Sequence, residues 1–286
     1  MVLAATQAVA APRTSSLPAF GPTTSLLVVA PHPDDETLCC AGVIQRVTRA
    51  GGRVSVVWIT SGDGSELSML VVEKSLFSRP EKQRELGARR MQEARSVAAI
   101  LGIAPQRLFF LGYPDRGVLP LLTDYYITPY HSKPSGMASV PYAEALFPGH
   151  PYTGQSLERD FEWVLEHVRP TLVLAPSPRD SHPDHRATGI LTLRGLGHRD
   201  ELASARYWIV HGGKGWPAPS GLAPEAALTP SPHSAGLAPT SFTLEPAEEE
   251  RKLQAVRAYH TQMEVMAPIL LSFVRTTELF SVSPMP

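Results

Sequence analysis

Ser25-Leu-Leu-Val-Val-Ala-Pro-His-Pro-Asp-Asp-Glu36 decides the fold. The run Ser25–Ala30 carries no charge, as expected of a strand buried on both faces. A polar cluster follows at once, and Glu36–Ala50 then reads as a helix stopped by Gly51-Gly52. The same unit recurs outward along the chain. Arg53–Thr60 is a second strand, closed by Ser61-Gly62-Asp63-Gly64. Arg107–Leu111 is a third, followed by Gly112-Tyr-Pro-Asp115. Thr171–Ala175 and Arg206–His211 are a fourth and a fifth. Helical patterns lie between them at Pro80–Leu101, Gln155–Val168 and Arg186–Gly195, and Pro246–Met266 closes the chain as one helix with Glu near its start.

Strands alternating with helices imply right-handed βαβ units. The expected fold is therefore α/β, a Rossmann-like three-layer sandwich with a mostly parallel sheet. In such sheets ligands bind beyond the carboxyl ends of the strands. Four polar clusters follow four apolar strands here, so they converge on one edge. The expected organisation is a flexible tail over 1–22 and a single domain over 23–286. Two stretches rich in Pro and Gly, at about 116–154 and 212–241, read as an inserted segment and a long loop. Residues 65–79 show no clear pattern and read as mobile.

The formal net charge of −1 gives no field that would draw nucleic acid or a membrane. No apolar run reaches the length of a membrane span. Ala8-Val9-Ala10 mimics a signal-peptidase site, but a basic leading region is lacking, so the segment reads as a tail. The two cysteines, Cys39 and Cys40, are sequence neighbours and poorly placed to bridge each other. That points to a reducing compartment and a cytoplasmic protein.

The chemistry lies in two clusters. His32-Pro-Asp34-Asp35-Glu36 follows the first strand, and His182-Pro-Asp184-His185 comes 150 residues later, past the fourth. Imidazoles and carboxylates without thiolate suit zinc, iron(II) or another divalent transition metal, and three protein ligands leave a position open for water. Helix capping accounts for Asp34 or Asp35 singly but not for the paired pattern. Asp63 and Asp115 end neighbouring strands and are candidates for binding sugar hydroxyls. Asp180 is a candidate for the mouth of the site. Glu36 reads as serving the start of its helix.

On these motifs the chain resembles the PIG-L/LmbE family of metal-dependent N-acetylglucosaminyl deacetylases, over roughly residues 24–280. Pro31–Glu36 matches the leading motif and His182–His185 the second. Lesser matches are Arg90-Met-Gln-Glu93, Phe110–Asp115 and Tyr259-His-Thr-Gln262. The resemblance implies that His32, Asp35 and His185 bind the metal, Zn2+ with Fe2+ or another divalent ion as the alternatives. It implies that Asp34 is the general base, and that protonated His182 steadies the oxyanion and serves the leaving amine. Arg90 is a family-pattern position that reads either as facing the substrate or as an exposed helical arginine. Asp184 reads either as a carboxylate orienting an imidazole or as a helix cap. Some thiol-biosynthetic members carry a tyrosine before the second motif, where this chain has Arg179-Asp180-Ser181; oxyanion help must then come from His182, another side chain or the inserted segment at 116–154. The implied activity is removal of the N-acetyl group from an N-acetylglucosamine-type sugar or its conjugate. The alternatives are an amidase or esterase on a non-sugar acyl substrate, and a binder without turnover. The implied partner is a small-molecule amino sugar, with no nucleic acid and no membrane; self-association as a homo-oligomer is left open.

Overall fold

The computed structural model describes residues 13–14, 17–64 and 79–285. In chain order the elements are β1 (Arg13–Thr14), β2 (Ser25–Ala30), α1 (Asp35–Arg49), β3 (Arg53–Thr60), α2 (Pro80–Ile100) and β4 (Leu108–Tyr113). They continue with α3 (Val118–Thr123), α4 (Gly154–Val168), β5 (Leu172–Pro176), α5 (Pro183–His198) and β6 (Ala205–Trp208). The last are β7 (Thr240–Thr243), α6 (Pro246–Arg257), α7 (His260–Leu271) and β8 (Thr277–Phe280).

Five strands form one parallel sheet in the order β4-β3-β2-β5-β6. β2 is buried along its whole length, and β3 at every residue but Arg53. That is why both read as continuous apolar runs rather than as alternating ones. Chain direction through the sheet reverses at β2. The segments leaving β2 and β5 therefore start side by side at a topological switch point, the crevice where α/β sheets hold ligands. This brings His32 and His182 together across their separation in sequence.

Helices cover both faces. α1 packs Leu38, Val43, Ile44 and Val47 into the core, while Trp58 of β3 stacks on Phe110 of β4 at 4.4 Å between ring centroids. A Cβ at Gly42 would stand 2.7 Å from Leu244 Cγ, so only glycine allows this approach. The same helix stretch is gripped from β8, whose Glu278 accepts the Gly42 and Val43 amides at 2.9 and 3.2 Å. Lys252 of α6 neutralises that buried carboxylate at 2.8 Å and donates to Leu38 O at the same distance. The charge is thus both paired and hydrogen-bonded, the condition under which burial is tolerated.

Several expectations are corrected. β7 and β8 form a second, three-stranded sheet with β1, in the order β1-β7-β8. The long 212–241 loop thus ends in a strand. Part of the tail is docked, since Arg13–Thr14 pair in parallel with Thr240–Ser241; residues 1–12 and 15–16, and the 65–78 part of the unpatterned stretch, lie outside the described residues. The closing helix is two helices broken at Tyr259, whose hydroxyl donates to buried Glu36 at 2.5 Å. Glu36 also accepts from Trp58 Nε1 at 2.9 Å, so it ties α1, β3 and α7 together besides opening α1. Cys39 and Cys40 are joined as a disulfide between neighbours, and the compartment argument drawn from their separation loses its footing. Among the described residues no helix is long and apolar enough to cross a membrane.

Candidate active site

His32 and Asp34 sit on the turn leaving β2, and Asp35 is the first residue of α1. Asp34 adopts φ 130°, ψ −33°, a region that side chains other than glycine rarely enter and that costs about 1–3 kcal/mol. Its surroundings enforce it. The Asp34 amide donates to Glu36 Oε2 at 3.2 Å, the His32 amide to Asp35 Oδ2 at 2.9 Å, and Arg90 Nη2 to Pro33 O at 2.7 Å.

Asp35 Oδ2 stands 3.2 Å from Nδ1 of His32 and 3.2 Å from Nε2 of His185. Donor atoms held about 2.1 Å from a tetrahedral metal lie roughly 3.4 Å apart, so each of these two spacings suits a pair of co-ligands; among the described residues the groups whose donor atoms all lie within 4.8 Å of one another are His32-His182-His185, Asp35-His185-His211 and His32-Asp115-Asp184. His185 has no exposed surface, and its two ring nitrogens make no aligned hydrogen bond although carboxylates of Asp35 and Asp180 stand 3.2 Å away. Buried ring nitrogens are seldom left so. Burial pushes both imidazoles down, yet Asp115, Asp184 and Asp35 hold His32 well above its ordinary value. Asp35 and Asp180 likewise lift His185 to about 9. Burial pushes Asp35 up, but His185 and His32 outweigh it and hold it well below the carboxylate range. A field that draws protons onto two buried imidazoles is one that a divalent cation relieves. The residues present fit a metal of the zinc or iron(II) type.

Asp180, expected at the mouth, is buried and joins three histidines. One oxygen accepts the His182 amide at 2.9 Å. The other accepts the Val210 and His211 amides at 2.9 and 3.0 Å and faces His185 Nδ1. Asp184 does the same for the first motif: it stands 3.3 Å from His32 Nε2 and accepts the Arg116 and Val118 amides at 2.6 and 3.1 Å. The cap of α5 is instead His182, whose Nδ1 accepts the Asp184 amide at 3.2 Å. An acceptor at Nδ1 leaves the ring proton on Nε2. Burial and the neighbouring histidines push this imidazole far down. In its neutral form His182 therefore carries its ring proton on Nε2.

Asp34, Asp115 and Arg90 line one cavity of about 320 Å3 together with His32, Asp35 and His182. Burial pushes the Asp34 carboxyl up to about 7 against the opposing pull of Arg90, whose Nη2 is 3.3 Å from Oδ2. Arg90 also donates to Gly62 O and Pro33 O, which ties it to the Asp34 turn, while its buried Nε has no hydrogen-bond partner. The guanidinium lies flat on Gly62, where φ is +70° and any side chain would collide with it. Asp63 is also corrected: it is fully buried, accepting the Asp115 amide at 3.1 Å and the Tyr142 hydroxyl at 3.0 Å. Asp115 returns the link through the Gly64 amide at 3.1 Å and faces His32 Nε2 at 3.3 Å.

The inserted segment supplies only Arg116 to the described lining. The opposite wall comes from Val210 and His211 after β6, and from Gln262, Met266, Ile269 and Leu270 of α7. His211 is the residue the sequence reading missed. Its ring centroid is 4.6 Å from that of His185 and 5.0 Å from that of His182. It also forms a potential ligand group with Asp35 and His185. Its place at the carboxyl end of a predicted strand was the available signal. The two lesser motifs meet as well: Glu93 of α2 accepts from the Thr261 amide and hydroxyl at 3.0 and 2.7 Å, fixing the start of α7.

The sequence profile described as "PIG-L: GlcNAc-PI de-N-acetylase" matches residues 27–195. The 1D-myo-inositol 2-acetamido-2-deoxy-alpha-D-glucopyranoside deacetylase of Mycobacterium sp. (strain KMS) is 28% identical over 260 residues, covering 85% of this chain and 75% of that protein. A probable N-acetyl-alpha-D-glucosaminyl L-malate deacetylase 2 of Bacillus anthracis is 29% identical over 187 residues, 65% of each chain. Among solved structures, the N,N'-diacetylchitobiose deacetylase from Pyrococcus horikoshii superposes with a TM-score of 0.54 at 20% identity. That match covers 91% of this chain and 83% of the other, and bears on the fold alone.

Proposed function

This chain belongs to the PIG-L (GlcNAc-PI de-N-acetylase) family, and we propose that it is a zinc-dependent hydrolase that removes the acetyl group from an N-acetylglucosamine-type sugar or its conjugate. The observation that carries the reading is the Asp35 oxygen placed equally near ring nitrogens of His32 and His185, with Asp34 on the adjoining residue of the same turn. His32, Asp35 and His185 hold the metal. When bound, zinc supplies Lewis acidity to the attacking water and to the acetamide carbonyl.

The other steps belong to the protein. Asp34 takes a proton from the attacking water; a carboxyl lifted toward neutrality by burial is matched to that task. Arg90 and the strained turn fix its direction. The His182 Nε2–H donates to the oxygen that becomes negative as the carbonyl carbon turns tetrahedral, an interaction of about 3 kcal/mol in comparable sites. Asp34 then returns its proton to the departing nitrogen. The C–N bond breaks, and acetate and a free amino sugar leave.

Asp180 and Asp184 hold the imidazoles in the tautomer and direction that metal binding needs. Asp180→Asn is expected to weaken metal affinity 10- to 100-fold, measured by competition with a chromogenic chelator. An unchanged affinity rejects this role. The activity itself is tested by acetate release from metal-defined protein on N-acetylglucosamine, its oligomers and its glycosides, beside non-sugar amides and acyl esters. Turnover confined to the sugars is expected; faster turnover of the esters or simple amides overturns the sugar assignment.

A further inference from the structure

His211 has no part in the reaction scheme above, yet the fold brings it to the proposed metal ligands. It follows β6, lines the reaction cavity and is exposed. Its main chain is clamped on both sides to the segment that carries the second motif. The amide donates to Asp180 Oδ2 at 3.0 Å, and the carbonyl accepts from the Ser181 amide at 3.1 Å and the Ser181 hydroxyl at 2.9 Å. The same Asp180 oxygen faces His185 Nδ1 at 3.2 Å. One carboxylate thus sets residue 211 against the buried imidazole.

With the main chain so fixed, the side chain remains to be accounted for. Among the described residues the His211 ring makes no hydrogen bond. One donor atom each from Asp35, His185 and His211 lies within 4.8 Å of the others. Two bonds of about 2.1 Å to a shared ion span roughly 4.2 Å, so a small movement of an exposed ring closes the set. His185 belongs both to this set and to the proposed chelate, and its two buried ring nitrogens lack an aligned hydrogen bond. Buried nitrogens left in that way need a partner. Two imidazoles and a carboxylate are also the donor types that suit zinc.

We propose that His211 is a fourth protein ligand, supplied from the β6 side of the site to the ion that Asp35 and His185 hold. The proposal rests on the zinc reading above. With His32 it makes four protein donors, and zinc accepts a fifth position for water. The test loads the full chain with Co2+, which reports its ligands by absorption and needs no turnover. His211→Cys with one Co2+ bound is expected to show a thiolate-to-cobalt charge-transfer band in the near ultraviolet. The parent, whose two cysteines are bonded to each other, is expected to lack it. In His211→Ala the visible cobalt bands are expected to change in position and shape as water replaces the imidazole. Zn2+ affinity of that variant, by competition with a chromogenic chelator, is expected to fall about tenfold or more. A cobalt-loaded cysteine variant without the band overturns the proposal, even where the alanine variant binds zinc less tightly. Should the cysteine variant take up no cobalt, the alanine variant decides: a visible spectrum superimposable on the parent's overturns the proposal, and a changed one supports it. Either result against His211 leaves the zinc reading intact. A parent that binds neither Co2+ nor Zn2+ overturns that reading, and the fourth ligand falls with it.

Discussion

Asp34→Ala will keep its metal and release acetate about 10^3-fold more slowly than the parent, within the range for losing a general base. The proposed ligands are the neighbours of Asp34, not Asp34 itself, so metal content by elemental analysis should stay near that of the parent. The loss should fall on kcat with KM little changed, because the carboxylate acts on the proton that moves in the transition state. Alanine at a residue with φ 130° adds backbone strain of its own. Asp34→Asn, a residue tolerant of positive φ, separates the two effects and should show the same kinetic loss. Rates within tenfold of the parent in both variants would remove Asp34 from the mechanism.

His185→Ala is expected to lose metal and activity together. The ring has no exposed surface and lies between the carboxylates of Asp35 and Asp180. Deleting it removes a donor and leaves two buried acids facing a void, a change of the kind that costs about 3–5 kcal/mol when one partner of a buried charge pair is lost. Metal content should fall from about one ion per chain to a small fraction, with a lower midpoint in chemical denaturation. Full occupancy by elemental analysis rejects His185 as a ligand.

The frame was legible because its physics is local. Ser25–Ala30 and Arg53–Thr60 are buried on both faces and say so by lacking alternation. The polar clusters were legible because the sheet puts whatever follows those strands on one edge. What failed to show depends on partners far along the chain. Asp63 looks like a free polar group until Tyr142 and the Asp115 amide are seen donating to it, and Arg90 until it is seen bonded to Gly62 O and Pro33 O. Tyr259 breaks a helical pattern because its hydroxyl reaches Glu36, a contact across 223 positions. β7 and β8 have four residues each, too few to print a period. His211 hid inside the strand reading, since nothing in Arg-Tyr-Trp-Ile-Val-His announces that its last ring turns toward His185.

The pairing of β2 with β5 has a bearing on how the protein matures. Leu26, Leu27 and Val28 lie in register with Leu172, Val173 and Leu174, so the two arms of the proposed chelate sit on opposite sides of a seam that closes only after more than half the polypeptide has been threaded. A fragment ending before that seam carries one imidazole and one acid, a weak and unselective grip. Ion capture by the proposed ligands would then report completed assembly, and whatever free energy the ion contributed would go to the zipped state of that seam.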